Sequence, residues 1–108
     1  MDDLTKLTYM IEKTKWRKLM EKKIKPKLVI AILDRGWVFV ARMSATPAEI
    51  KLTNAACIRY WGTTKGIGQL ALEGPQRETK IDEAGTVVVP RTAVIALIDA
   101  VEGKWPGR

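Results

Sequence analysis

From Leu28 to Leu33 the chain is apolar at every position, the pattern of a strand buried on both faces. Asp34-Arg35-Gly36 breaks that run with turn residues, and Trp37-Val38-Phe39-Val40 follows as a return strand, so these residues predict a hairpin. Ser44 to Ala48, with Pro47, makes the next connection. Glu49 to Thr53 then alternates polar with apolar, which predicts one wet face and one buried face. Ala55 to Trp61 predicts a further strand, with Cys57 an inert small core residue.

The pattern weakens after the glycine-rich stretch 62–68. Gln69 to Glu73 fits either a helical turn or a short strand, and Gly74-Pro75 ends it. Thr79-Lys80-Ile81 reads as a short edge strand, Glu83-Ala84-Gly85 as a turn, and Thr86 to Val89 as a strand. Pro90-Arg91-Thr92 interrupts, and Ala93 to Ile98 resumes the strand. A strand, a Pro-marked 3₁₀ kink and another strand is how small SH3-like barrels turn a corner between their last strands. Six or seven short strands in roughly 75 residues therefore predict a small antiparallel SH3-like barrel or sandwich. The tail 103–108 is expected to be loose unless Trp105 docks.

Residues 3–24 follow a different rule, with no Pro or Gly and many good helix formers. Asp2 or Asp3 can cap the first turn, and Pro26 stops the helix. The expected organisation is a basic helical arm over 1–26, a β domain over 27–102 and a tail over 103–108. The fold class is then α+β, mainly β. On the helix, Leu4, Leu7 and Ile11 share one face, whereas Tyr9, Trp16, Met20 and Ile24 cluster on nearly the opposite one. Either the helix breaks near Glu12–Lys15, or it touches its own domain on one side and a second subunit on the other. The second arrangement makes the protein a homo-oligomer, with Tyr9, Trp16 and Met20 at the subunit contact.

Charge sharpens this division. The 108 residues carry 19 Lys and Arg against 12 Asp and Glu, a net of +7. Residues 1–27 hold nine basic and four acidic residues, +5, and residues 28–108 hold ten and eight, +2. Lys15, Arg17, Lys18, Lys22 and Lys23 are accordingly candidates for contacts with nucleic-acid phosphates. The chain has no His, which excludes a Ser-His-Asp triad and His metal ligands. The single Cys57 excludes an intrachain disulfide and a multi-Cys zinc site. No metal site, cofactor or catalytic residue is expected. No apolar run approaches the ~18–20 residues that span a bilayer. The acidic start Met1-Asp2-Asp3 is unlike a signal peptide, so a cytoplasmic protein is expected.

The segment richest in binding chemistry is Arg59-Tyr60-Trp61-Gly62-Thr63-Thr64-Lys65-Gly66-Ile67-Gly68. Gly62, Gly66 and Gly68 let backbone N–H groups converge on an anion, because glycine takes positive φ cheaply. Thr63 and Thr64 add hydroxyl donors, Arg59 and Lys65 add charge, and Tyr60 and Trp61 offer faces on which a base could stack. The spacing is not that of a Walker A loop, since Lys65 precedes the glycine, nor the Gly-x-Gly-x-x-Gly of dinucleotide sites.

The string from Ala55 to Ala71, then Gly74-Pro75 and Ala84-Gly85-Thr86-Val87-Val88-Val89-Pro90, resembles a family of small uncharacterised domains encoded by phages and prophages. Gly36-Trp37-Val38-Phe39-Val40 fits the same likeness, which covers roughly residues 28–105 and leaves out the basic helix. The resemblance supplies no activity and no catalytic residue. It implies a viral or prophage context, with the host cytoplasm as the compartment, in which small proteins cover host enzymes, coat nucleic acid or sequester nucleotide signals of host immunity.

Three readings follow. In the first, the loop 62–68 with Arg59 and Lys65 holds the phosphates of a small nucleotide while Tyr60 or Trp61 stacks on its base. In the second, the basic helix and the barrel bind DNA or RNA. In the third, the helix carries a protein–protein contact as an inhibitor or adaptor. Catalysis by Asp34, Glu49, Asp82, Glu83 or Asp99 ranks below all three, because carboxylates beside turns and strand ends are solvated by default.

Overall fold

The computed structural model describes residues 26–108. The expected arm helix, the candidate phosphate contacts Lys15, Arg17, Lys18, Lys22 and Lys23, and the candidate oligomer contacts Tyr9, Trp16 and Met20 lie outside these residues.

The apolar run and its return form the predicted hairpin. β1 (Lys27–Leu33) pairs antiparallel with β2 (Val38–Ala45), from Lys27 opposite Met43 to Ile32 opposite Val38. Between them Asp34–Gly36 makes a 3₁₀ turn in which Arg35 and Gly36 both take positive φ, 64° and 82°. Two successive left-handed residues match the right-handed twist of a tight hairpin.

β3 (Glu49–Tyr60) pairs with β2 and β4 (Lys80–Pro90) pairs with β3, while β5 (Val94–Asp99) returns to pair with β1. The result is one five-stranded antiparallel sheet in the order β4-β3-β2-β1-β5. A single helix, α1 (Ile67–Glu73), interrupts the connection from β3 to β4. β4 and β5 are the two edges of the sheet, yet only the 3₁₀ turn Arg91–Ala93 separates them. In a flat sheet those edges would lie about 19 Å apart, four spacings of ~4.8 Å. The four-residue step from Pro90 to Val94 reaches at most ~14 Å. The sheet must therefore curl.

Two expectations are corrected here. Glu49–Thr53 and Ala55–Trp61 are not separate strands: β3 runs through both, bent at Asn54, whose φ is 48°. Glu83-Ala84-Gly85 is not a turn but the irregular middle of β4, where the register with β3 shifts on either side of Ala55. Five strands, two of them long, replace the expected six or seven among the described residues. A bulge uses the same left-handed and glycine residues as a turn, so the two look alike in sequence.

Both faces of the sheet are covered, which is why β1 carries no polar position between Leu28 and Leu33. On one face Leu28, Ile30, Val38, Val40, Ala56 and Ile58 pack under Leu70 and Ala71 of α1 and under Trp105. On the other, Ala31, Leu33, Phe39, Ala41, Ile50, Leu52 and Ala55 are closed in by Val87, Val89 and Val94, the contribution of the curled edges.

The tail is not loose, because Trp105 does dock. Its ring is buried and its Nε1 donates to the Leu70 carbonyl at 2.9 Å, tying the tail to α1. Arg42 grips Glu102 with two hydrogen bonds of 2.6 and 2.7 Å and donates to the Arg108 carbonyl. The bond to Glu102 raises the Arg42 pKa beyond its ordinary value, against the opposing effect of burial. Asn54 Nδ2 donates to the Gly107 carbonyl, Arg108 Nε donates to the Asn54 carbonyl, and the Arg108 guanidinium pairs with Glu83. The bulge in β3 is thus the seat of the tail.

Candidate functional site

β3 ends in side chains that no core claims. After Ile58, the last buried residue of the strand, Arg59 and Tyr60 are exposed, and the chain leaves the sheet through Trp61, Gly62 and Thr63. These five residues line an open cleft of about 400 Å³. Tyr60 is 59% and Trp61 41% exposed, large aromatic surfaces that folding leaves in water. Arg59 donates from Nε to Asp82 Oδ2 at 2.9 Å across the β3–β4 pair, an exposed ion pair that holds the guanidinium at the rim.

Local hydrogen bonds brace the floor of the cleft. Thr79 Oγ1 donates to the Trp61 carbonyl at 2.7 Å and accepts from the Gln76 N–H at 2.8 Å, so the segment 76–79 braces the cleft backbone. Gly62, with φ 62°, lies directly against that brace: a Cβ there would sit 2.6 Å from Thr79 N. Only glycine permits this approach.

The loop that follows does converge its amides on an oxygen, and the oxygen belongs to the chain itself. Thr64 N and Lys65 N both donate to Gln69 Oε1, at 3.0 and 2.9 Å. Gln69 Nε2 in turn donates to Gln76 Oε1, and Gln76 Nε2 to the Gly74 carbonyl. The structure therefore brings together Arg59, Tyr60, Trp61, Gly62 and Thr63. It sets Thr64 and Lys65 on the adjoining loop with their amides occupied. Gly66 caps the start of α1 and Gly68 lies within it, so neither lines the cleft.

Sequence reasoning missed Gln69, Gln76 and Thr79 as the residues that hold this site. The available signal was a Gln four and five residues beyond the amides it binds, which resembles the reach-back of a capping box. It also missed Trp37, 56% exposed and stacked on Phe39 with ring centroids 6.1 Å apart and planes 10° from parallel.

The rest of the site chemistry is plain. Asp34, Glu49, Asp82, Glu83 and Asp99 are all exposed. Burial raises the pKa of the Cys57 thiol, Asp82 raises it further, and Arg59 partly offsets both. Among the described residues no three His, Cys, Asp or Glu side chains stand close enough to hold a metal ion, and no helix is long and apolar enough to cross a membrane. No protein-family model, curated protein or solved structure matches the chain.

Proposed function

We propose that this protein is a non-catalytic binding domain that takes a phosphate-bearing nucleotide at the Arg59–Thr63 cleft. The observation that carries the reading is the exposure of two neighbouring aromatic side chains, Tyr60 and Trp61, on a braced backbone beside a guanidinium. Leaving such rings in water costs apolar burial, and a base stacked on them recovers ~1–3 kcal/mol. In this reading Arg59, at the rim, and Lys65, on the adjoining loop, supply the cations that meet the phosphate. Because the loop amides already bind Gln69, the anion is held by these side chains rather than by the backbone.

The same proposal includes a small SH3-like barrel as the frame. The strand order β4-β3-β2-β1-β5, with one 3₁₀ turn joining the two edges, supports it, as does the core enclosed by Val87, Val89 and Val94. The likeness to phage-encoded domains supports a cytoplasmic role in a host cell, sequestering a nucleotide signal of its immunity. The two sheet edges, β4 and β5, support self-association.

A thermal-shift screen of mono-, di- and cyclic nucleotides against the full chain tests the reading. A ligand at 100 times its dissociation constant adds ~2.7 kcal/mol of stability. A screen in which no nucleotide raises the melting temperature removes it.

A further inference from the structure

Two anion-binding devices at the cleft are already committed within the chain. The Thr64 and Lys65 amides both donate to Gln69 Oε1, so this pair of N–H groups is not offered to a ligand. Arg59, the cation that lines the cleft, is committed on one side: its Nε donates to Asp82 Oδ2 at 2.9 Å. That bond takes the Nε edge of the guanidinium and leaves the Nη1–Nη2 end for a ligand. Strand pairing holds the carboxylate there, because the β3–β4 register sets Asp82 opposite Cys57, two residues before Arg59 along β3.

These commitments bear on the kind of phosphate the cleft takes. A terminal phosphate is largely a dianion above neutral pH and brings three oxygens that need donors. A phosphodiester is a monoanion with two non-bridging oxygens, the number that one guanidinium end bonds in parallel. Any anion on Arg59 also lies within a few ångströms of Asp82. The carboxylate repels each negative charge the ligand brings, so it penalises a dianion about twice as much as a monoanion.

We infer that the ligand of the cleft is a phosphodiester without a terminal phosphate, and that Asp82 sets this preference through its hold on Arg59. The inference rests on the nucleotide reading of the cleft and names its substrate class.

Calorimetric titration of the full chain with cyclic AMP, the dinucleotide adenylyl-adenosine and AMP tests it. At about pH 8 AMP is a dianion, and at ~0.15 M salt only nearby charges act on it. Cyclic AMP and AMP share one base, so they differ in the phosphate alone. Adenylyl-adenosine reports whether the diester is taken within a ring or as the link between two nucleosides. The better diester is expected to bind about threefold or more tighter than AMP, the scale of one exposed charge contact. Asp82→Asn tightens AMP more than either diester and closes most of the gap, whereas Asp82→Glu, which keeps the charge, preserves it. If AMP binds wild type as tightly as both diesters, or if the gap is unchanged in Asp82→Asn, the inference is overturned and the cleft stands. If no probe binds, or Trp61→Ala weakens none of them, the cleft reading fails as well.

Discussion

Trp105 Nε1 and the Leu70 carbonyl meet at 2.9 Å in a fully buried contact between residues 35 positions apart. The indole fills the space between α1 and the sheet that Leu28, Ile30, Val38 and Val40 would otherwise leave open. Trp105→Ala should therefore cost ~3–5 kcal/mol, the range for emptying a large aromatic site. Trp105→Phe should cost less but still leave part of the space unfilled. Urea unfolding of the two variants measures both. A Trp105→Ala midpoint equal to wild type would show that the tail is not part of the core.

Arg59 and Lys65 are exposed, and the Arg59–Asp82 pair is open to water on both sides. Such pairs contribute ~0–1 kcal/mol, so Arg59→Ala and Lys65→Ala should leave the melting temperature nearly unchanged. Each should weaken nucleotide binding by ~1–3 kcal/mol, as expected when a charge-assisted hydrogen bond is lost. Calorimetric titration beside a thermal melt separates the two effects. Unchanged affinity in both variants would remove these side chains from the site.

Gly62→Ala and Gly36→Ala form a matched pair. Both glycines have positive φ, but a Cβ at Gly36 meets nothing within 4 Å, whereas one at Gly62 overlaps the Glu78–Thr79 backbone. Gly36→Ala should cost about 1 kcal/mol of conformational strain. Gly62→Ala should cost more, and should displace Trp61 as the brace shifts. Comparing their unfolding midpoints and Trp61 fluorescence checks this, and equal costs would contradict the close approach.

Gln69→Ala strips the acceptor from two backbone amides at once. The Thr64 and Lys65 amides should exchange with deuterium markedly faster, with ~1–2 kcal/mol of stability lost. Native-state hydrogen exchange resolved at those two amides is the measurement. Unchanged protection would mean that Gln69 does not organise the loop.

The Cys57 thiol is held above its ordinary pKa by burial and by the Asp82 carboxylate, with Arg59 opposing. Asp82→Asn should lower its pKa and Arg59→Ala should raise it further, both read from the pH dependence of alkylation. The folded thiol keeps its proton longer than the unfolded one. Its contribution to stability is therefore complete below the ordinary thiol pKa and is lost as pH rises through the folded value. Shifts of the same sign in both variants would contradict the opposing roles of the two charges.

The hairpin β1–β2 was legible because an unbroken apolar run, a turn triplet and a second run coincide over residues 28–40. The corner at Pro90 was legible for the same reason, proline being a local constraint on φ that needs no partner. The division between Thr53 and Ala55 and the turn at Glu83-Ala84-Gly85 were misread because a bulge and a turn use the same residue types, and only the pairing partner distinguishes them. The stretch Gln69–Glu73 could not be settled locally, since five residues carry too little periodicity to separate helix from strand.

At the site, sequence alone placed Arg59, Tyr60, Trp61, Gly62 and Thr63 together, because they are consecutive and leave a strand for a glycine loop. It also predicted that backbone amides of the glycine loop converge on an anion, without telling which amides. The acceptor of the Thr64 and Lys65 amides is the Gln69 side chain, and the Gln69–Gln76–Thr79 hydrogen bonds are local to residues 64–79, with the Thr79 bond to the Trp61 carbonyl tying them to the end of β3. Tertiary structure decided that Arg59 reaches Asp82 across the β3–β4 pair, a consequence of strand register. Spacing along the chain sets local conformation through φ and side-chain alternation. Which residues face each other across strands depends on register and curl, and those are fixed by the packing of the whole core.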